Sequence, residues 1–249
     1  MAGLSFHETA RHHQVAANRR RCLLLVATVV VVAAAGGTVA GAVVATSAAG
    51  AGLGLALAVL ACALAWWRGD TIILRRCGAR RADPGAYARL HNVVEGLCVA
   101  GGLPKPGLYV VAMAQADALA VGRSARRAAL VVTTGLLDTM SRVELEGVLA
   151  HELLHVRNGD IAVSTLAATL VGPVTGGRLT GLAVGRQREL LADVTGVALT
   201  RYPPGLAAAL EKVRDGGDNP PAWSRTTAAL GIASAPPPLD DRIVALREL

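Results

Sequence analysis

From Cys22 to Trp67 the chain carries no charged side chain, a run of 46 consecutive positions. As one α-helix this run would be about 69 Å long, more than twice the hydrocarbon thickness of a bilayer. Two spans of about 20 residues with a tight turn between them do fit. The small-residue stretch Thr46-Ser47-Ala48-Ala49-Gly50 is the expected turn, and Trp66 and Trp67 are expected at the membrane–water interface. Gly36, Gly37 and Gly41 would let the two helices approach closely.

Two spans return the chain to the side it started from. Arg19, Arg20 and Arg21 precede the hairpin, and Arg68, Arg75, Arg76, Arg80 and Arg81 follow it, so the positive-inside rule places both flanks in the cytoplasm. A cleaved signal peptide with Ala33-Ala34-Ala35 as its cleavage site is the rival, but the run is longer than a signal h-region of about 7–15 residues. Hydrophobic residues make up 53% of the chain and aromatics 3%, so the apolar surface comes from Ala, Val and Leu. The net charge of +7 sits largely on arginines beside apolar runs, which fits a lipid bilayer partner. No aromatic-basic stripe is present, and nucleic acid is not an expected partner. Cys22, Cys62, Cys77 and Cys98 form no C-x-x-C pair and read as reduced and structural. Residues 1–21, with His7, His12 and His13, read as a solvated cytoplasmic flank.

Beyond the hairpin, His151-Glu152-Leu153-Leu154-His155 carries the chemistry. On a helix, positions i and i+4 share a face, so both imidazoles point the same way, a spacing that suits tetrahedral zinc. Glu152 lies too far round the helix to join that pair and is placed to take a proton from water at the metal. The helix has its own signals. Ser141 with Glu144 makes a capping box, Leu145, Val148, Leu149 and Val156 follow at helical spacing, and Asn158-Gly159 is a stop, giving a helix over about 142–158.

Upstream, Asp83-Pro84 is expected to open a helix ending at Gly101-Gly102. Three strands are expected over 108–111, 117–122 and 129–134, with Arg123 to Arg127 as the turn joining the last two. Downstream, Asp160 can cap a helix broken by Gly172-Pro173 and Gly176-Gly177, a further helix carries Arg186 to Asp193, Pro203-Pro204 opens another, 215–221 is a loop, and a terminal amphipathic helix starts at 236–243. A catalytic zinc needs a third protein ligand. Glu189 is the best placed, with Asp193 one turn on along the same face and able to hydrogen-bond a ligand imidazole. A solvated acidic face is the alternative for that pair, and Glu211, Glu248 and Asp215 are rival ligands.

The ordered set of segments resembles a known family, the HtpX-like integral-membrane zinc metallopeptidases, relatives of the CAAX prenyl endopeptidases. It comprises Val131-Val132-Thr133-Thr134-Gly135-Leu136-Leu137, Glu144 through His155, Asn158-Gly159-Asp160, an R-x-x-E-x-x-A-D segment at 186–193, and an ending like P-P-L-x-x-R-I-x-x-L at 236–246. The resemblance covers roughly 83–249. It implies a mostly α fold: an N-terminal transmembrane helical hairpin followed by a zincin-like α+β metallopeptidase domain with a small β-sheet. The expected division is a flank at 1–21, two transmembrane helices over 22–67 and the peptidase domain over 68–249.

The resemblance implies His151, His155 and Glu189 as ligands of one zinc ion per chain. Glu152 would be the general base and acid, and Asp193 and Asp160 would support the ligands. Arg186 or Arg188 would stabilise the oxyanion, although pairing with acidic neighbours is the alternative. The segment Asp117-Ala118-Leu119-Ala120 would align an extended substrate by main-chain hydrogen bonds. The chain departs from the family in two places: Asp117 stands where N-A-F-A-x-G has an amide, and Gly185 stands where a Ser commonly precedes Arg186. The implied activity is a membrane-anchored endopeptidase acting on polypeptides, membrane proteins among them, in quality control. It would work through a zinc-activated water on the cytoplasmic side of the cell membrane. A zinc-binding membrane scaffold that does not cleave is the alternative.

The apolar stretch 161–184 is not expected to span. His155 and Glu189 must meet at one metal, two crossings need about 40 residues plus a turn, and the interval is shorter than that. Arg178 would also be costly in hydrocarbon.

Overall fold

The computed structural model describes the backbone of residues 2–43, 47–183, 185–216, 223 and 226–249, with the side chains of 2–14, 43, 47, 182, 183 and 186 excepted. Helix α1 (Ala2–Val43) and helix α2 (Ser47–Arg76) form an antiparallel hairpin. Both are long and apolar enough to cross a membrane, over Val15–Ala42 and Ala48–Arg76. The crossing is as close as the glycines foretell. A Cβ on Gly37 would lie 2.4 Å from the carbonyl oxygen of Gly50, and one on Gly54 would lie 2.5 Å from that of Ala33. Gly41 also lies against Gly50, whereas Gly36 faces nothing within 4 Å.

Both helices outrun the uncharged stretch. From Ala2 on, the expected flank is the first half of α1, because neither Gly nor Pro interrupts 4–35. Residues 44–46 lie outside the described ones, and Ser47 to Gly50, expected in the turn, already belong to α2. At its other end α2 continues nine residues past Trp67, and Ile73 is completely buried.

That extension covers a sheet. Strands β1 (Arg80–Arg81), β2 (Gly107–Val111), β3 (Ala118–Ser124) and β4 (Arg127–Thr133) lie in the order β1-β2-β4-β3. β2 runs parallel to β4, and the other two pairs are antiparallel. Alternation sends Ala118, Ala120, Leu130 and Val132 to the main core, and Leu119, Val121, Ala129 and Val131 to a second core with Ile73 and Cys77 of α2. The two-residue β1 has no pattern that a sequence could reveal. The β3–β4 turn is tighter than expected, since Arg127 pairs with Ser124 and Arg123 lies within β3 at a bulge.

Helix α3 (Ala88–Gly101) starts later than Asp83-Pro84, whose carboxylate instead accepts from the backbone N–H of Gly85 and Ala86 in a turn. The short α4 (Thr134–Thr139) leads to α5 (Arg142–Asn158), with the expected bounds and capping box. Then follow α6 (Asp160–Leu166), a π-helical turn (Ala167–Val171), α7 (Gly172–Thr175), α8 (Thr180–Ala183), α9 (Arg186–Thr200), α10 (Pro203–Asp215) and α11 (Leu239–Arg247). Gly172-Pro173 does not break the apolar helix. Pro173 falls at the start of a new turn, where it needs no donor, and the break comes at Gly176 and Gly177, both at positive φ. The apolar helix over Asp160–Thr175 is too short to count among the candidate spans. Cys22 of α1 and Ala65 of α2 pack against Ala162, Val163 and Leu166, which seats the hairpin on α6.

The close crossing generates a test. Gly37→Leu should lower the thermal stability of the detergent-purified protein by about 1–3 kcal/mol, the usual cost of overpacking, while Gly36→Leu stays near wild type. Equal melting of the two variants would show that the helices do not cross at Gly37.

Candidate metal centre

The site is built on α5. Ser141 Oγ accepts from Glu144 N at 3.5 Å, and Glu144 Oε2 accepts from Ser141 N at 2.6 Å, which completes the box at its start. Lys212 Nζ donates to the same carboxylate at 2.7 Å and ties α10 to that end. The other end closes at Gly159 with φ 72°, where the left-handed turn lets its N–H reach the last carbonyls. Between these ends the HExxH turns are buried under α9, which approaches closely because Gly196 has no side chain; a Cβ there would lie 3.2 Å from the His151 Cα.

Three side chains converge. His151 Nε2 lies 3.1 Å from His155 Nε2. Glu189 of α9 places Oε2 at 3.3 Å from His151 Nε2 and Oε1 at 3.3 Å from His155 Nε2. Tetrahedral zinc with bonds of about 2.0–2.1 Å has ligand–ligand edges of about 3.3 Å, so these separations fit the ion. The donor chemistry fits as well, two imidazoles and a carboxylate.

The far side of each ring is fixed. His155 Nδ1 lies 2.9 Å from Asp160 Oδ2, and His151 Nδ1 lies 2.8 Å from Asp193 Oδ1. A carboxylate that accepts a hydrogen bond from Nδ1–H keeps the proton on that nitrogen and leaves the Nε2 lone pair to the metal. Each carboxylate is itself held by a guanidinium. Arg242 of α11 donates to Asp193 from Nε at 2.8 Å and from Nη2 at 2.6 Å. Arg188 Nε lies 3.1 Å from Asp160 Oδ1, and its Nη2 donates to the Asp160 carbonyl at 3.2 Å.

These contacts set the charges. Burial pushes the Asp193 and Asp160 carboxyls up, but the Arg242 and His151 charges, and the bond to His155, outweigh it and hold both below the usual range. Glu189 is likewise held well below it by the two imidazoles despite burial. Burial pushes His155 down, yet Glu189 and Asp160 raise it to about 10. His151 is raised by Asp193 and Glu189 in the same way. For Glu152 burial outweighs the two imidazole charges and pushes its carboxyl up to about 7.

Of the expected site residues, His151, His155, Glu189, Asp193 and Asp160 come together. Asp160 makes no capping bond at the start of α6; its side chain turns back to His155. Arg188 is not aimed at the open side of the metal site, since its partners on Asp160 lie behind His155, and the side chain of Arg186 lies outside the described residues. Asp117 does not line a groove. It is completely buried, and its carboxylate accepts from Trp223 Nε1 and from Ala233 N. The edge of β3 is engaged at both ends: Ile232 N donates to the Ala118 carbonyl, and Gly122 N donates to Thr165 Oγ1. Alternation gives Ala120 the same outward-facing backbone as Ala118 and Gly122, while Leu119 points its backbone toward β4. The residue that the sequence did not reveal is Arg242. It sits inside a recognised segment, but nothing in a surface-like Asp-Asp-Arg run marks an arginine as completely buried.

An imidazole pair one helical turn apart, a carboxylate brought to it by another helix and an acid buried between them define an HExxH metallopeptidase. Known proteins narrow that class. The family model described as Peptidase family M48 matches residues 84–176. "Protease HtpX homolog" of Caldanaerobacter subterraneus subsp. tengcongensis is 35% identical over 239 residues, covering 75% of this chain and 80% of the relative. Proteins of the same description from Dictyoglomus thermophilum (34% identical, 74% and 76% covered) and Salinibacter ruber (31% identical, 75% and 83% covered) match similarly. The chain belongs to peptidase family M48 as an HtpX-like member, and it is a membrane-associated metalloprotease.

The buried arginine supplies a prediction. Arg242→Met removes the guanidinium from Asp193 and leaves that carboxylate buried with only the His151 imidazole beside it, a loss of about 3–5 kcal/mol of folding stability. Chemical denaturation of the purified variant measures it, and a loss below about 1 kcal/mol would show that Asp193 does not need the guanidinium.

Proposed function

We propose that the protein is a zinc-dependent endopeptidase in which His151, His155 and Glu189 hold one zinc ion per chain. The observation that carries this is that the two imidazole Nε2 atoms stand a tetrahedral edge apart and each stands the same distance from one carboxylate oxygen of Glu189, Oε2 for His151 and Oε1 for His155. Zinc at that position would polarise the scissile carbonyl and lower the pKa of water to about 7. Glu152 receives the proton from the attacking water and delivers it to the leaving amine. Burial raises its carboxyl in the metal-free site, the direction that lets a carboxyl hold the proton between the two transfers. Asp193 and Asp160 keep the two rings turned so that Nε2, not Nδ1, faces the metal.

The substrates we propose are polypeptides, membrane proteins among them, handled as quality control. The hairpin supports this, because its seating on α6 holds the site close to the bilayer. The peptide would pair with the edge of β3 at Ala120, the outward-facing backbone between the two engaged ends. The division proposed is a hairpin over 22–67 and a peptidase unit over 68–249, with α2 running through the boundary. Arginines on both sides of the hairpin support a cytoplasmic peptidase unit, with the 161–184 stretch staying on that side.

Glu152→Gln should retain zinc, measured by elemental analysis, and lose cleavage of casein by about 10²–10⁴-fold. Cleavage at the wild-type rate would place the base elsewhere. Zinc binding should also release protons. His155, raised to about 10, is protonated at pH 7 in the metal-free protein and must lose that proton to bind, and His151 is shifted in the same direction, so affinity rises with pH. Isothermal titration in two buffers of different ionisation enthalpy counts the protons, and a buffer-independent heat would contradict the ligand assignment.

A further inference from the structure

One side chain of the membrane hairpin reaches the network behind the metal. Asn18 of α1 is buried at 3% exposure, 140 positions ahead of its partner Asn158. Its Nδ2 donates to the Asn158 carbonyl at 3.1 Å and to Asp160 Oδ1 at 2.5 Å. Both neighbours are acceptors, so only the NH₂ end of the amide fits there. Its Oδ1 is buried with no hydrogen-bond partner, a cost that an apolar side chain would avoid. Asn18 is therefore poorly explained as packing, and the group it serves is Asp160.

Asp160 has two oxygens with different duties. Oδ1 faces Asn18 and Arg188, and Oδ2 faces His155 Nδ1. Fixing Oδ1 from two sides fixes the plane of the carboxylate, and with it the direction from which Oδ2 meets the imidazole. One turn further along α1, Cys22 packs into the cluster that seats the hairpin on α6. The position of α1 against α6 thus decides where the amide sits.

We propose that Asn18 is a positioning residue for the metal centre, through which the first membrane helix orients Asp160 and so the zinc-facing nitrogen of His155. This rests on the metal-centre reading above. It makes the anchor part of the site: a change in the seating of α1 is felt as a change in metal affinity.

The test uses the full-length protein in detergent, with Zn²⁺ and with Co²⁺ as a spectroscopic substitute. Asn18→Ala should weaken zinc about 10-fold in a chelator competition, the low end of the range for groups that hold a ligand in place, and should shift the cobalt d–d absorption. Asn18→Asp, nearly isosteric but with no donor and with a charge facing Asp160, should weaken zinc at least as much. Leu25→Ala, which loosens the packing of α1 at the same cluster without touching Asp160, should lower the melting temperature yet keep wild-type affinity and spectrum. Wild-type affinity and spectrum in Asn18→Ala would overturn the proposal, and so would equal weakening by Leu25→Ala, which would reduce Asn18 to packing. A wild-type protein that binds no zinc would overturn the metal-centre reading itself, an outcome distinct from both.

Discussion

The metal centre depends on two hydrogen bonds that face away from it, those that Asp193 and Asp160 accept from Nδ1–H of His151 and His155. A helix can bring two imidazoles to one face, but it leaves each ring free to present either nitrogen. The carboxylates remove that freedom. They come from separate places, Asp193 from the helix that also supplies Glu189 and Asp160 from the turn just after the motif, so each ring is fixed independently.

Because those carboxylates are buried, each needs a cation or donors of its own, and the sources tie distant parts of the chain to the site. Arg242 brings in the C-terminal helix, Arg188 the helix of Glu189, and Asn18 the first membrane helix. The hairpin is accordingly more than a tether. α2 extends beyond its apolar run to cover one face of the sheet, and α1 reaches the back of the metal site. Close crossing at Gly37, Gly50 and Gly54 holds the two helices as one unit, so both contacts are made from a single rigid element.

What the sequence made legible was what short-range patterns encode. The capping box from Ser141 to Glu144 and the stop at Gly159 defined α5 to the residue, and the missing charges over 22–67 marked the apolar middle of a hairpin whose helices run on past both ends. Glu189 could be singled out because Asp193 follows it at i+4. The failures share a cause, since each turned on a contact made across the chain. Asp117 read as part of an edge that aligns substrate, but its carboxylate meets Trp223, more than a hundred positions away. Arg188 had the charge for an oxyanion, but its geometry serves Asp160. Asn18 lay in what read as a solvated flank, and no periodicity marks a single buried amide among arginines.

The charge inventory gives an independent reason for a divalent cation. Three carboxylates, Asp160, Asp193 and Glu189, surround the imidazole pair, and two guanidiniums, Arg188 and Arg242, answer them. That leaves one negative charge in excess, or two when Glu152 is ionised, in a region with almost no access to water. Buried charge of one sign is too costly to leave unbalanced. Without metal, the imidazoles can supply the balance by holding protons, which is the direction in which both are shifted. A dication held by His151, His155 and Glu189 would supply the same charge and return the rings to the neutral form that coordination requires. Protons and metal therefore compete for one electrostatic vacancy, created by the second carboxylate of α9 and the first residue of α6. Replacing either Asp193 or Asp160 with its amide would loosen a ring and also remove part of the field that draws the cation in.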